Sequence, residues 1–437
     1  MIPSSEQTSK YNRLHEIDWQ KFPSIVFESD DWGACESAAT AKDAETILRL
    51  YRHFGNHSDK PIISTLENPA QLEKLYRTLE KFRGVDGIPP VFTAFVILGN
   101  PDFEKIRANG FTRYEDIGID LGVPCGWEHG DIVAKWREGF ERGIFHPEFH
   151  STLHHTSPHL WLQRLREKGP KGELARALFD LRCYSQGEHL PEYHGMNLKE
   201  QYQWVKTGID RFEKIFGFVP DAAITSDAFP ETEIVWSLCG INVICLKNCR
   251  SNTGETVVYA TKPWNMQDVY ANIGDYDEMK DVVYMTRNAF FESGMAPSWN
   301  DSVEEVLTVV KRNIDKFSEP SIISTHRINY VSLDDEIMER RLSELEKLLH
   351  RLSEMSVHFL ATSEVAQLYR RGWSARKFGD KTILRKWHED SGNIDVDAPE
   401  SVFSLDNQRS LASRDLDKLP VGNYLLENRP ALLCKTN

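Results

Sequence analysis

The stretch FHPEFHSTLHHTSPH, residues 145–159, holds five histidines of the 15 in the chain: His146, His150, His154, His155 and His159. Neutral imidazoles are ordinary ligands of divalent metals. Two other motifs offer matching chemistry. ESDDW carries adjacent carboxylates, Asp30 and Asp31, and ISTHR carries His326. Two imidazoles and one carboxylate make a three-ligand set that leaves positions open for water and substrate. His150 and His154 stand four apart in HSTLH, and on one helical turn such residues share a face. HPEFH makes His146 and His150 a rival pair, and His155 rivals His154 if the turn is irregular. One aspartate then binds the metal while the other takes a proton from the attacking water. His326, opposite, is placed to protonate the leaving group. One divalent ion is expected, zinc by default, though nickel, cobalt or iron accept the same ligands. Taken singly, an Asp-Asp pair reads as a solvated turn and HxxxH as a helix surface. Their places along the chain join them.

Those places are strand ends. Apolar runs that read as strands are residues 24–29, 91–98, 222–226, 241–246, 281–287, 321–325 and 357–362. Helical periodicity separates them at 69–82, 199–216, 230–239, 302–317 and 334–355. Strands alternating with helices predict parallel pairing and an α/β fold. The number of units predicts a distorted barrel of seven or eight strands, whose site lies at the carboxyl ends of the strands. Asp30 and Asp31 fall at the first such end, the histidines at the third, Ser226 and Asp227 at the fourth. Arg287 and Asn288 fall at the sixth, and His326 and Arg327 at the seventh. The expected organisation is an N-terminal segment 1–21, a barrel 22–371 with insertions near 155–198 and 248–280, and a C-terminal extension 372–437.

With 437 residues and 40% hydrophobic content, the chain can bury a large core. Its 66 acidic and 52 basic residues leave a net charge of −14, which argues against a nucleic-acid partner. No apolar run is long enough for a membrane span. The start, MIPSSEQTSKYNRLHEIDWQKF, lacks the basic-then-apolar layout of a secretory leader, so a cytoplasmic location is expected. Seven scattered cysteines suggest reduced thiols rather than a disulfide framework. The oligomeric state leaves no trace in the sequence.

The order SDD, HSTLH, ISTHR resembles that of the polysaccharide deacetylase family (NodB homology, family-four carbohydrate esterases). VFTAFVIL resembles the family's second strand. KEQYQWVKTGIDRFEKIFGFVPDAAIT and LEKLLHRLSEMSVHFLATSEVAQL are similar to later helix and strand units, so the resemblance spans roughly residues 22–370. It implies a distorted (β/α) barrel and metal-dependent hydrolysis of an acetamide, less often an ester, on a sugar. By position, Asp30 is implied as catalytic base, Asp31, His150 and His154 as metal ligands, and His326 as general acid. Trp32, Asp227, Arg287, Asn288 and Arg327 are the candidate substrate contacts. Trp127, Phe290, Phe291 and Trp299 are further aromatics near the expected rim.

This sequence also departs from the family pattern. After the fourth strand it reads TSDAFPET, where the family carries an arginine that orients the base; Arg287 or Arg327 is available to substitute from another strand. Trp32 stands where glycine is usual. Two alternatives follow: a C–N hydrolase acting on a small non-sugar amide, or a catalytically silent barrel that binds a saccharide or a protein.

Overall fold

The computed structural model describes residues 11–58, 64–154, 156–184, 190–225, 230–246, 248–250, 256–258, 271–292, 302–411 and 415–427. Strand β1 (Ser24–Trp32) is buried at every position. Its run of Ile25, Val26 and Phe27 suits a strand covered on both faces. The other strands of its sheet are β2 (Phe92–Ile97), β3 (Phe145–Ser151), β4 (Ala222–Ile224), β5 (Val243–Leu246), β6 (Tyr276–Asp277), β7 (Val282–Thr286), β8 (Ala289–Phe290), β9 (Ser321–His326) and β10 (His358–Leu360). The order is β6-β7-β5-β4-β3-β2-β1-β9-β8, with β10 also on β1. Only β6 with β7 is antiparallel.

The expected α/β class is therefore the one found, and the sheet is bent towards a barrel in a particular way. β7 lies near one end of the path and β8 at the other, yet they belong to one stretch interrupted at Arg287 and Asn288. Among the described residues, no continuous hydrogen-bonded strand closes the ring. Asn288 stitches the break instead. Its backbone N–H donates to Ile322 O at 3.1 Å, its side-chain amide donates to Pro320 O at 2.9 Å, and its side-chain oxygen accepts from Ile322 N at 2.8 Å.

Helices α1 (Ala41–His53), α2 (Pro69–Leu79), α3 (Ile132–Glu141), α4 (Pro158–Arg166), α5 (Pro170–Asp180), α6 (Leu198–Phe216), α7 (Pro230–Leu238), α8 (Val303–Phe317), α9 (Asp335–Ser353) and α10 (Thr362–Arg371) connect and flank the strands. Their starts are chemically marked. Asn68 with Gln71, Asn197 with Glu200, and Ser302 with Glu305 form reciprocal capping boxes. In α9, Leu342, Leu345, Leu348, Leu349 and Leu352 all face the core, as their three- and four-residue spacing requires. Among the described residues, no helix is long and apolar enough to cross a membrane.

After Gly372 the pattern changes to an antiparallel sheet of β11 (Trp373–Phe378), β12 (Lys381–Lys386), β13 (Ser401–Ser404), β14 (Arg409–Leu411) and β15 (Gly422–Glu427). Its order is β11-β12-β15-β13-β14. Most of the expected insertion at 248–280 lies outside the described residues; the one at 155–198 carries α4 and α5.

Candidate metal centre

The segment from His150 to His154 is the end of strand β3 followed by an irregular turn, which corrects the expectation of a helical turn. In β3 the side chains of His146, Glu148 and His150 alternate with Pro147 and Phe149, so the three polar residues face the same side. His154 lies three residues beyond the strand, in the turn that follows. The rival pair fails on length. His146 and His150 are four strand residues apart, roughly 13 Å, and His146 approaches Glu148 and Ser363 instead. His155, like Ser226, Asp227 and Trp299, lies outside the described residues.

Asp31, His150 and His154 converge. One ligand atom from each lies within 4.8 Å of the others, and all three residues are buried. A bulge between Ser29 and Trp32 makes this possible. It puts Asp31 at φ 74°, a left-handed conformation that Asp tolerates better than most residues. Asp30 stays in the ladder opposite His326, while Asp31 turns towards β3.

The donor chemistry of this trio fits a cation. His154 shares its Nδ1 proton with Glu36 Oε2 at 2.6 Å. In the neutral ring, Nε2 then carries a lone pair. That nitrogen is 2.8 Å from Asp31 Oδ1, which is buried and accepts no well-aligned hydrogen bond. His150 Nε2 is 3.6 Å from the same oxygen. Lone pairs facing one another need a positive charge between them. In the metal-free state a proton serves: burial opposes the charge on His154, but Asp31 and Glu36 outweigh burial and raise its pKa to about 10. Burial, aided by the charge of His154, holds His150 down at about 4 against the pull of Asp30 and Asp31. Asp31 sits well below the carboxylate range because the three histidines more than reverse the effect of burial. A divalent ion bound by these three residues would displace the proton.

Beside this trio, Asp30 is gripped by Arg287. The guanidinium donates to Asp30 Oδ1 at 2.6 Å and Oδ2 at 2.9 Å, and to Glu28 Oε2 at 2.7 Å and Ser324 Oγ at 3.0 Å. This fork is the bidentate geometry that arginine suits. Burial would raise the pKa of Asp30, but Arg287 chiefly, with His326, lowers it. Arg287 reaches Asp30 from the break between β7 and β8. His326 Nδ1 lies 2.7 Å from Glu292 Oε1, and its Nε2 lies 3.6 Å from Asp30 Oδ2. Burial pushes the His326 pKa down, but Glu292, then Asp31 and Asp30, carry it up to about 9.

The other expected substrate contacts are turned inward. Trp32 is fully buried, its Nε1 donating to Ser29 Oγ and its ring edge-on to Phe145. Asn288 holds β9, as described. Arg327 is buried, donating to Ala34 O at 2.9 Å and Glu67 Oε2 at 3.2 Å. Trp127, Phe290 and Phe291 are buried as well. Glu28, Glu36, Glu67 and Glu292, none of them singled out in the sequence, each hold a residue of the centre or its rim in place. Glu36, Glu67 and Glu292 lie outside every motif quoted from the sequence, while Glu28 opens ESDDW two residues before Asp30.

No family model matches the chain, and no curated protein matches it. Among solved structures, it is similar to the peptidoglycan deacetylase PdaC from Bacillus subtilis at 10% identity and a TM-score of 0.31, over 80% of this chain and 92% of that one. Similarity to the allantoinase Puue is at 9% identity and a TM-score of 0.39, over 79% and 89%. Similarity to Agd3, described as a novel carbohydrate deacetylase, is at 9% identity and a TM-score of 0.38, over 94% and 65%.

Proposed function

We propose that this chain is a metal-dependent hydrolase that removes the acetyl group from an N-acetylated sugar or saccharide, with an O-acetyl group as the lesser alternative. The observation that carries the reading is the junction of two units at one rim: the trio Asp31, His150 and His154, and the pair Asp30 and His326 beside it. A divalent ion held by the trio would polarise the scissile carbonyl and lower the pKa of the attacking water. Asp30, kept ionised and oriented by Arg287, takes the proton of that water. The water oxygen bonds to the carbonyl carbon and the C–N bond breaks. His326, protonated at neutral pH, gives its proton to the departing nitrogen. Glu292 fixes its ring for that transfer.

A second reading has one observation in its favour. Trp32, Trp127, Phe290 and Phe291 are buried, which leaves these four, among the aromatics expected at the rim, without a free face for a sugar ring. Among the described residues this favours a small, non-sugar amide as substrate for the same machinery. The test begins with metal content by elemental mass spectrometry, on protein purified without a metal-affinity tag. About one equivalent is expected in the wild type and little in His150→Ala. Acetate release is then assayed on N-acetyl sugars beside linear and cyclic amides. No metal in the wild type, even after reloading with zinc, nickel or cobalt, would overturn the hydrolase reading and favour the silent barrel.

A further inference from the structure

His154 is a ligand without a secondary-structure element to stand on. It lies beyond the end of β3, in the turn Thr152–Leu153, where no ladder bond holds the backbone. Glu192 supplies the missing support. Its Oε1 accepts from the backbone N–H groups of both Thr152 and Leu153, each at 3.0 Å, and from Trp204 Nε1 at 2.7 Å. Consecutive N–H groups converging on one carboxylate oxygen form an anion-binding concavity. Here a side chain of the protein fills it. Glu192 is fully buried, so these bonds are shielded from water.

Residues on either side of Glu192 hold the chain just beyond His154. Ser157 N donates to Leu190 O at 2.9 Å, and Ser157 Oγ donates to His194 O at 2.7 Å. Helix α6 closes the other side. A Cβ on Gly208 would fall 2.7 Å from Thr152 Oγ1, so the helix packs directly on the turn. Residues 190–194, the end of the segment read from the sequence as an insertion, therefore clamp the turn that presents His154.

We infer that Glu192 is a positioning residue for the metal centre, and that residues 190–194 serve to set the place of His154 against Asp31 and His150. This rests on the metal-dependent reading above. A turn residue free to shift would lose the coordination geometry, whereas His150, fixed in β3, needs no such aid.

The test uses the full chain, stripped of metal and titrated with Co2+ against a competing chelator, with the visible absorption of the bound ion as a second readout. Wild type is compared with Glu192→Ala, Glu192→Asp and Glu192→Gln. Glu192→Ala is expected to bind Co2+ about 10–100-fold more weakly and to show an altered absorption band. Glu192→Asp keeps the charge but is one methylene too short, and is expected to be weakened too. Glu192→Gln retains an acceptor oxygen and is expected close to wild type in affinity and band. Unfolding midpoints of the metal-free proteins separate loss of the site from general loosening. If Glu192→Ala does not fold, Glu192→Asp decides. Wild-type affinity and an unchanged band in Glu192→Asp or Glu192→Ala would overturn the inference. A wild type that binds no Co2+ would overturn the metal reading itself, which is a different result.

Discussion

Arg287 meets two needs at once. It orients Asp30 with two parallel bonds, and it keeps that carboxylate ionised inside a buried site. Arg287→Lys replaces the fork with a single point of charge. On metal-loaded enzyme, kcat is expected to fall about 10²-fold, and the acidic limb of the pH profile is expected to move up as the Asp30 pKa rises. An unchanged limb would show that Arg287 does not tune the base. In the proposed mechanism His326 governs the alkaline side. Its pKa is raised to about 9, so the protonated, proton-donating form is lost as pH rises through that value. A divalent ion held by Asp31, His150 and His154 would bring the limb lower by offsetting the carboxylates. The same shift makes protonated His326 stabilising below its unfolded value, roughly 6.5, and that contribution disappears as pH rises through about 9. Glu292→Gln removes the main partner and is expected to move the alkaline limb of kcat/KM to lower pH. A limb at its wild-type position would remove His326 from the acid role.

Elements set where these residues point, and they differ in how much the sequence discloses. The strands at 24–32, 92–97, 282–286 and 321–326 carry apolar runs flanked by helical periodicity, so their place in the sheet and the rim they form are legible. The trio was legible for the same reason, since each member follows or ends a strand. The spacing HSTLH fits a helical turn, but His150 lies at the end of a strand and His154 follows in an irregular turn, so it is the bend of the chain after Ser151 that brings the two together. The partners of the supporting carboxylates are not legible, even for Glu28, which lies inside ESDDW. Glu28 finds Arg287 at a separation of 259 residues and Glu36 finds His154 at 118; no local pattern encodes pairs made by the curl of the sheet. The bulge in β1 was equally hidden, although Gly33 hints at it. Gly33 has φ 87°, and a Cβ there would fall 2.8 Å from the Trp136 ring and 2.9 Å from Ile97 O. Its N–H donates to Glu67 Oε1 at 3.0 Å. Gly33→Ala combines backbone strain with a clash and is expected to cost about 1–3 kcal/mol, read as a lower urea midpoint. A midpoint equal to wild type would mean that the chain after β1 relaxes freely.

At the scale of the whole molecule, the C-terminal sheet is tied to the core by charge as well as by packing. Glu364, at the start of α10, is fully buried. It receives Arg376 Nε at 2.8 Å and also pairs with Arg385 Nη1. Arg385 is buried and reaches Asp86 Oδ2 at 2.8 Å, while Arg376 Nη1 donates to Gly143 O at 3.0 Å, just ahead of β3. Both arginines come from the C-terminal sheet, and both carboxylates from the α/β unit. Burial would push the Glu364 pKa up, yet the two arginines hold it below the carboxylate range. Such a network stabilises little relative to apolar packing, but removing one side leaves a charge in the core and is costly. Arg385→Met is therefore expected to destabilise the whole chain by about 3–5 kcal/mol, as a single lowered unfolding transition reported alike by the α/β unit and the sheet. A chain ended after residue 371 strands Glu364 and Asp86 together and is expected not to fold. Should that shorter chain fold with an unchanged midpoint and bind one equivalent of metal, the sheet would be an independent appendage and the charge network ornamental. The expected failure instead makes the C-terminal sheet part of the scaffold that holds β3, and with it His150, in place.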